Sequence, residues 1–400
     1  MAPKKIIIPG FQFAGIHCGI KDDPRKKDLT LIYSEELETL IDGVFTKNRV
    51  CAAPVEVCRK SIRQGKGRLV VVNSGIANAC TGVQGLRDAK KTQKEAARLF
   101  KLNPDSVMVC STGKIGDPLP IRRLLRGLKK GKRALSGKNF LEAAKGIMTT
   151  DQFVKFGVAR GRIKGKKYII AVMTKGAGML RPDMATMLTF IVTNLKFSRP
   201  VLSVLFRRAV DLTLNRVTVD GDMSTNDTVL ILANGRAGNK PFGLMSPEAK
   251  IVETQLTALL TEMAKKITLD GEGATKCCRV QVSGAQNRAD AKKVAYAVGN
   301  SPLVKTALFG CDPNWGRIMA AVGYSGASVI PEKISIHIGP YLVVRKGQKA
   351  LGHDPLVVSK YMRKKNIDMR IDLGLKSGNF HIYMSDLTYD YVHLNAEYHT

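Results

Sequence analysis

A threonine near the middle of the chain is the residue whose setting most suggests covalent chemistry. Thr186 follows Ala185 at the end of a segment, residues 175–186, that contains two glycines and a proline and joins two apolar runs. A threonine hydroxyl is a weak nucleophile unless a base lies beside it, and the α-amine of an N-terminal threonine is such a base. The pattern indicates a cut between Ala185 and Thr186, made by attack of Thr186 Oγ on the Ala185 carbonyl. A plain crossover between strands also fits these glycines and this proline.

A second candidate is the triplet Ser111-Thr112-Gly113, which follows an apolar run. A hydroxyl and a backbone N–H at Thr112 and Gly113 could stabilise a developing oxyanion. The plain alternative is a turn that ends a strand. A similar triplet, Asn73-Ser74-Gly75, is interpreted as a structural turn.

Two charged residues suit an amino-acid substrate. Lys175 could bind a carboxylate and, by like-charge repulsion, favour the neutral form of the Thr186 amine, although a solvated lysine is the ordinary interpretation. Glu272 lies between two glycines, which lets an ammonium group approach its carboxylate closely. A calcium loop here or at residues 220–222 would need the spaced oxygen ligands of an EF-hand, which are missing, so we predict no metal site.

Apolar periodicity places these residues on a mixed framework. Strands are predicted at residues 67–72, 106–110, 154–163, 167–173, 187–192, 229–232, 279–282, 334–337, 341–344, 368–372 and 379–385. Helices are predicted at residues 86–100, 121–128, 139–148, 200–214, 246–267, 290–298, 315–322 and 355–364. Mixed elements with hairpins predict an α+β fold. A boundary near residues 283–289 would separate a catalytic domain, 1–282, from a smaller C-terminal α/β domain, 283–400.

Composition narrows the class of protein. The 400 residues are 44% hydrophobic, enough for a substantial core. No apolar run approaches the roughly 18–20 residues of a membrane span, and the apolar run near the N-terminus is too short for a signal peptide. The eight cysteines have neither CxxC pairs nor zinc spacing, which favours reduced thiols in a cytoplasmic protein.

The net charge of +31, from 64 basic and 33 acidic residues, raises the alternative of an RNA-binding protein. The basic residues are dispersed, and no basic-aromatic pattern suited to base stacking occurs. We therefore predict no specific nucleic-acid partner and no membrane partner. A positive field would weakly steer anionic substrates.

The chain resembles the ornithine acetyltransferases, or glutamate N-acetyltransferases, of arginine biosynthesis. Around Thr186 it has KGAGMLRPDMATML (175–188), close to the family pattern KGSGMIxPNMATML. Further matches, in the order of the family, are GVFTKNRVCAAPV (43–55), VVNSGIANACTG (71–82), STGKIG (111–116), IMTTD (147–151), TVDGDMSTND (218–227), DGEGATK (270–276), VKTALFGCDPNWGRI (304–318) and DLTYDYVHLNAEYHT (386–400). The chain departs from the family at Ala177, Asp183 and Ser385, where Ser, Asn and Cys are expected. Asp183 adds a negative charge close to the predicted cut.

The resemblance implies a sandwich of mixed β-sheets flanked by helices, similar to N-terminal-nucleophile hydrolases. It implies that Thr112 and Gly113 form the oxyanion hole for Thr186. It also implies that the substrate is bound by Thr150, Lys175, Thr186, Glu272, Asn395 and Thr400.

The implied reaction transfers the acetyl group of N2-acetyl-L-ornithine to L-glutamate through an acetyl-threonine intermediate. The implied assembly has two copies each of chains 1–185 and 186–400, an α2β2 heterotetramer. No cofactor is expected, and acetyl-CoA is a second acetyl donor in some members. The alternative is a related self-processing aminopeptidase or amidase, which shares the fold and normally uses a serine.

Overall fold

A computed structural model describes residues 5–180, 187–352 and 354–397. Three predicted site residues, Ala185, Thr186 and Thr400, lie outside the described residues. The strands are β1 (Phe11–Ile16), β2 (Leu29–Ser34), β3 (Leu40–Phe45), β4 (Leu69–Ile76), β5 (Val107–Lys114), β6 (Lys155–Ile163), β7 (Lys166–Lys175), β8 (Leu188–Thr193), β9 (Val217–Thr218), β10 (Thr228–Ala233), β11 (Cys277–Ala285), β12 (Ser335–Ile338), β13 (Tyr341–Arg345), β14 (Gln348–Lys349), β15 (Asn366–Asp372) and β16 (Gly378–Ser385).

The helices are α1 (Ala53–Ser61), α2 (Gly82–Phe100), α3 (Ile121–Arg133), α4 (Phe140–Gly146), α5 (Arg199–Leu212), α6 (Pro247–Leu269), α7 (Arg288–Gly299), α8 (Pro302–Phe309), α9 (Trp315–Gly323), α10 (Pro355–Met362) and α11 (Tyr389–Glu397). Short 3-10 turns occur at Ile62–Gln64, Pro104–Ser106, Leu214–Arg216 and Pro331–Lys333. Among the described helices, none combines the length and the apolar content needed to cross a bilayer.

Two mixed sheets pack face to face and form the centre of the molecule. One has the strand order β1-β2-β4-β5, and the other has the order β3-β10-β8-β7-β6. Their facing side chains, among them Val70, Val72, Ala171 and Phe190, share one buried core. Helices α2 and α3 cover the outer face of the first sheet, and α5 and α6 cover that of the second. The predicted α+β class, a sandwich of mixed sheets flanked by helices, is confirmed.

Strand β4 shows why its sequence is an uninterrupted apolar run. Val70 and Val72 point into the core between the sheets, whereas Leu69 and Val71 point toward the helices outside. Successive side chains of a strand alternate between faces, so a strand buried on both faces must be apolar at every position.

A seven-stranded sheet, in the order β14-β13-β12-β15-β11-β16-β9, forms the second part of the molecule. Its hydrophobic core begins at Cys278 and includes residues of α7 to α10. The domain boundary at residue 283 stays a prediction; that position lies within β11, and β9 joins this sheet from earlier in the chain.

The triplets Asn73-Ser74-Gly75 and Ser111-Thr112-Gly113 are not the turns that the sequence suggests. They lie in β4 and β5, which run parallel, and Ser111 and Gly113 pair with Asn73 and Gly75. Gly113 has a φ of +131°, and a Cβ there would lie 2.1 Å from the Gly75 carbonyl carbon. The small residues therefore permit a close approach of two strand ends rather than a change of direction.

Candidate active site

One cavity brings together the predicted site residues that the structure describes. It lies where the ends of β5 and β7 meet the loops before β6, β10 and β11. The predicted residues that line it are Thr112, Gly113, Thr150, Lys175, Glu272 and Asn395. They come from distant parts of the sequence, and their convergence makes this cavity the candidate active site.

The strand ends at Thr112 and Gly113 are held by an amide that sequence reasoning missed. Asn226 Nδ2 donates to the Ser111 carbonyl at 2.8 Å and to the Ala77 carbonyl at 2.7 Å. Ser111 Oγ donates to Asn73 Oδ1 at 2.6 Å. Because the neighbouring polar groups are satisfied by one another, the backbone at Thr112 is held in place beside the cavity.

Glu272 accepts two side-chain hydrogen bonds, one on each of its carboxylate oxygens. Thr150 Oγ1 donates to Oε1 at 2.8 Å, and Asn395 Nδ2 donates to Oε2 at 3.0 Å. Its backbone N–H donates to the Ala177 carbonyl at 2.8 Å. Gly178 makes room for the carboxylate, since a Cβ there would lie 2.4 Å from Oε2. The result is an oriented negative charge that faces the cavity.

Lys175 is the positive group of the site, at the C-terminal end of β7. Lys175 is 5% exposed, and its Nζ donates to Thr149 Oγ1 at 3.4 Å. Burial lowers the pKa of Lys175, while the carboxylates of Asp151 and Asp227 oppose that shift. An ammonium group whose hydrogen bond goes to a neutral hydroxyl can also bind a carboxylate ligand.

Asp220 also lines the cavity. Its carboxylate accepts the backbone N–H of Met179 at 2.5 Å and that of Leu180 at 2.8 Å. Burial raises the pKa of Asp220 despite these bonds. Within residues 5–180, 187–352 and 354–397, no cluster of three or more His, Cys, Asp or Glu side chains could hold a metal ion. Asp220 instead holds the segment that follows Lys175.

The C-terminal segment closes one side of the cavity. Thr388 Oγ1 donates to the Gly273 carbonyl at 2.7 Å, just before α11 begins. Gly273 has a φ of +67°, and a Cβ there would lie 2.4 Å from the Tyr391 nitrogen. Burial, together with Asp220 and Glu272, raises the pKa of Tyr391 to about 12. A glycine is therefore required where the tail docks, and the docking delivers Asn395 to Glu272.

Comparisons with known proteins agree on one family. The ArgJ family profile matches residues 12–400. The arginine biosynthesis bifunctional protein ArgJ of Geobacter sulfurreducens is 45% identical over 393 residues, which cover 98% of this chain and 100% of that protein. The protein of the same name from Caldanaerobacter subterraneus is 42% identical over 403 residues, 99% of this chain and 98% of that one.

A solved structure is also similar. The crystal structure of the arginine biosynthesis bifunctional protein ArgJ from Bacillus halodurans superimposes with a TM-score of 0.50 at 38% identity. The superposition covers 52% of this chain and 98% of the crystallised chain.

Proposed function

Because this chain belongs to the ArgJ family, we infer that it is an acetyltransferase of arginine biosynthesis. It transfers the acetyl group of N2-acetyl-L-ornithine to L-glutamate, which yields ornithine and N-acetylglutamate. Support comes from the family match over residues 12–400 and from the convergence of six predicted residues on one cavity. The aminopeptidase alternative is not favoured.

The site offers charges of both signs to an amino-acid substrate. Glu272 binds the free ammonium group, since its carboxylate is held in one orientation by Thr150 and Asn395. Lys175 binds the α-carboxylate. Glutamate and acetylornithine both carry an α-carboxylate, so one cavity serves both halves of a ping-pong reaction.

The covalent steps use Thr186. Its α-amine, released by the cut after Ala185, removes the hydroxyl proton as Oγ attacks the acetyl carbonyl. The oxyanion is stabilised at Thr112 and Gly113, ornithine leaves with the proton, and the acetyl group stays on Oγ. The glutamate amine then attacks the acetyl carbonyl and the bond from the carbonyl carbon to Oγ breaks. The proton that the amine loses passes through the Thr186 α-amine to Oγ, which restores the Thr186 hydroxyl.

The cut leaves two chains that share one β-sheet. In the five-stranded sheet, β3, β6 and β7 belong to residues 1–185, whereas β8 and β10 belong to residues 186–400. Strands β8 and β10 lie side by side between β3 and β7, so each of them pairs with a strand of the other chain. The chains therefore stay together after the cut, and two copies of each form an α2β2 heterotetramer. The protein works in the cytoplasm on these small molecules, with no cofactor, and acetyl-CoA is the natural candidate for a second acetyl donor.

The decisive experiment mixes the purified protein with N-acetylornithine and glutamate and detects N-acetylglutamate by mass spectrometry. Thr186→Ala serves as the control, because it lacks the nucleophile. Replacing N-acetylornithine by acetyl-CoA tests the second donor. Release of free acetate that does not depend on glutamate would identify a hydrolase instead.

A further inference from the structure

A buried ammonium group lies behind the candidate active site. Lys155, at the start of β6, has a side chain with no exposed surface. Its Nζ donates to Asp151 Oδ1 at 2.6 Å and to Asp270 Oδ2. Both carboxylate side chains are fully buried as well. Lys155 is not among the described residues that line the cavity.

The carboxylate of Asp151 in turn holds two backbone segments. Its Oδ2 accepts the Thr149 N–H at 2.8 Å, and its Oδ1 accepts the Gly176 N–H at 2.9 Å. Thr149 precedes Thr150 in the chain, and Gly176 follows Lys175. Asp151 thus ties together the two segments that carry these cavity residues.

Asp270 adds the third segment. Its Oδ1 accepts the Gln152 N–H at 3.1 Å, so it is bound to the same loop as Asp151. Asp270 lies two residues before Glu272. The ammonium group of Lys155 binds the carboxylates of Asp151 and Asp270. It therefore connects the three segments that carry Thr150, Lys175 and Glu272.

We propose that Lys155 is a positioning residue that sets the spacing between Thr150, Lys175 and Glu272 without contacting substrate. This inference rests on the proposed function. The spacing matters because one substrate must reach Lys175 with its carboxylate and Glu272 with its ammonium group at the same time.

Electrostatics explain why a cation is needed at this position. Without the ammonium, two carboxylates would face each other in a region closed to water. Burial alone raises the pKa of Asp151, but Lys155, Lys175 and backbone N–H groups outweigh burial, so that pKa is lowered. Loss of Lys155 would leave Asp151 and Asp270 repelling each other or taking up a proton, and either change moves the loops they hold.

The test compares Lys155→Met with a matched control. Lys276→Met also removes a buried ammonium, but one whose partners are the carbonyls of Leu308 and Phe309 and the sulfur of Cys311. We expect kcat/KM of folded Lys155→Met to fall roughly 10- to 100-fold, mainly through a higher KM for N-acetylornithine. Lys276→Met should keep the wild-type KM even if its melting temperature falls as much as that of Lys155→Met. A folded Lys155→Met with the wild-type KM would overturn the proposal.

A second variant covers the case in which Lys155→Met does not fold. Asp270→Asn keeps the bond between Lys155 and Asp151 but weakens the link to Glu272, so its KM should also rise, and an unchanged KM would count against the proposal. In the double variant Lys155→Met/Asp270→Asn, part of the loss should be recovered, because one unpaired carboxylate is gone. If the wild type itself forms no N-acetylglutamate, the proposed function fails. In that case ornithine binding by calorimetry provides the comparison between variants.

Discussion

The backbone N–H of Met187 donates a hydrogen bond of 2.8 Å to Asp227 Oδ1. The Met187 carbonyl accepts the Thr228 N–H at 3.0 Å, so both backbone groups of Met187 are held by consecutive residues at the start of β10. Asp227 is 2% exposed, and burial raises its pKa well above the usual range. Its Oδ2 has no hydrogen-bond partner among the described residues. A buried carboxyl group with a raised pKa therefore holds the residue that follows the proposed nucleophile.

Replacing Asp227 should separate its charge from its hydrogen bond. Asp227→Asn keeps an acceptor for the Met187 N–H, so we expect most of the self-cleavage and acetyl transfer to survive. Asp227→Ala leaves that N–H unpaired in the core, which should cost about 1–3 kcal/mol of stability and most of the activity. Urea unfolding and initial rates measure the two effects. Equal damage in both variants would mean that an ionised carboxylate is required.

The proposed cut predicts two chains that do not part under native conditions. The cut places β7 and β8 in different chains, and β3 and β10 likewise. The strands of each pair are nevertheless paired along the full length of the shorter strand. The protein should therefore elute as one species in native chromatography and run as two bands on a denaturing gel. One band should begin with Thr-Met-Leu-Thr-Phe. Thr186→Ala should give a single band, and an active wild type with a single band would refute the mechanism.

Removal of residues 395–400 should affect turnover far more than folding. None of the described residues of α11 is buried, so little core packing is lost. Asn395, however, donates to one oxygen of Glu272, and that contact disappears. We expect a folded, self-cleaved enzyme whose kcat/KM falls at least about tenfold, or about 1.4 kcal/mol. Circular dichroism checks the fold, and unchanged kinetics would show that the tail does not complete the site.

Gly178→Ala should disturb Glu272 without unfolding the protein. A Cβ at Gly178 would lie 2.4 Å from Glu272 Oε2, and this flexible side chain can swing away. The hydrogen bonds from Thr150 and Asn395 would then be lost, and we expect KM to rise roughly tenfold. Gly243→Ala is the matched control, since a Cβ there meets nothing within 4 Å. Wild-type KM in Gly178→Ala would show that Glu272 does not bind substrate.

Much of the framework could be predicted from local pattern. The hairpin of β6 and β7 and the helices α2, α5, α6 and α7 lie within a few residues of their predicted bounds, because apolar periodicity repeats over many residues. Apolar periodicity does not indicate strands β1, β2 and β3 or helices α1 and α8. The first three are six residues each, which leaves little room for a period to show.

The contacts that support the site could not be predicted from the sequence, for a different reason. Asp227, Asn226 and Lys155 act through partners 40, 115 and 115 residues away, and no spacing in the sequence marks such pairs. Family resemblance supplied Thr150 and Asn395, which by themselves have the appearance of ordinary helix or tail residues. For Thr112 and Gly113 the sequence leaves a strand-ending turn as the plain alternative, whereas both residues lie within β5. Small residues suit a turn and a close approach of strands alike.

A last buried cation, Lys305 in α8, makes stability depend on pH. It is 3% exposed and donates to the Ser385 carbonyl and, at 3.1 Å, to Ser385 Oγ. Burial lowers the pKa of Lys305 from 10.5 to about 8, against the opposing pull of Asp386 and Asp220. Folding therefore favours the neutral amine, and the cost of burying the charge is present in full below pH 8.

The stability of the wild type relative to Lys305→Met should consequently rise with pH. Between pH 8 and 10.5 the folded protein loses its proton at Lys305 while the unfolded chain still holds one, so the burial cost disappears over this window. Each unit of pKa difference corresponds to about 1.36 kcal/mol. The free energy of unfolding of the wild type, relative to that of Lys305→Met, should therefore increase by about 2 kcal/mol between pH 7.5 and about 9.5. Comparing the two proteins cancels the titration of tyrosines and cysteines common to both. Urea unfolding at the two pH values measures the gain, and a difference in stability that does not change with pH would show that Lys305 remains charged in the core.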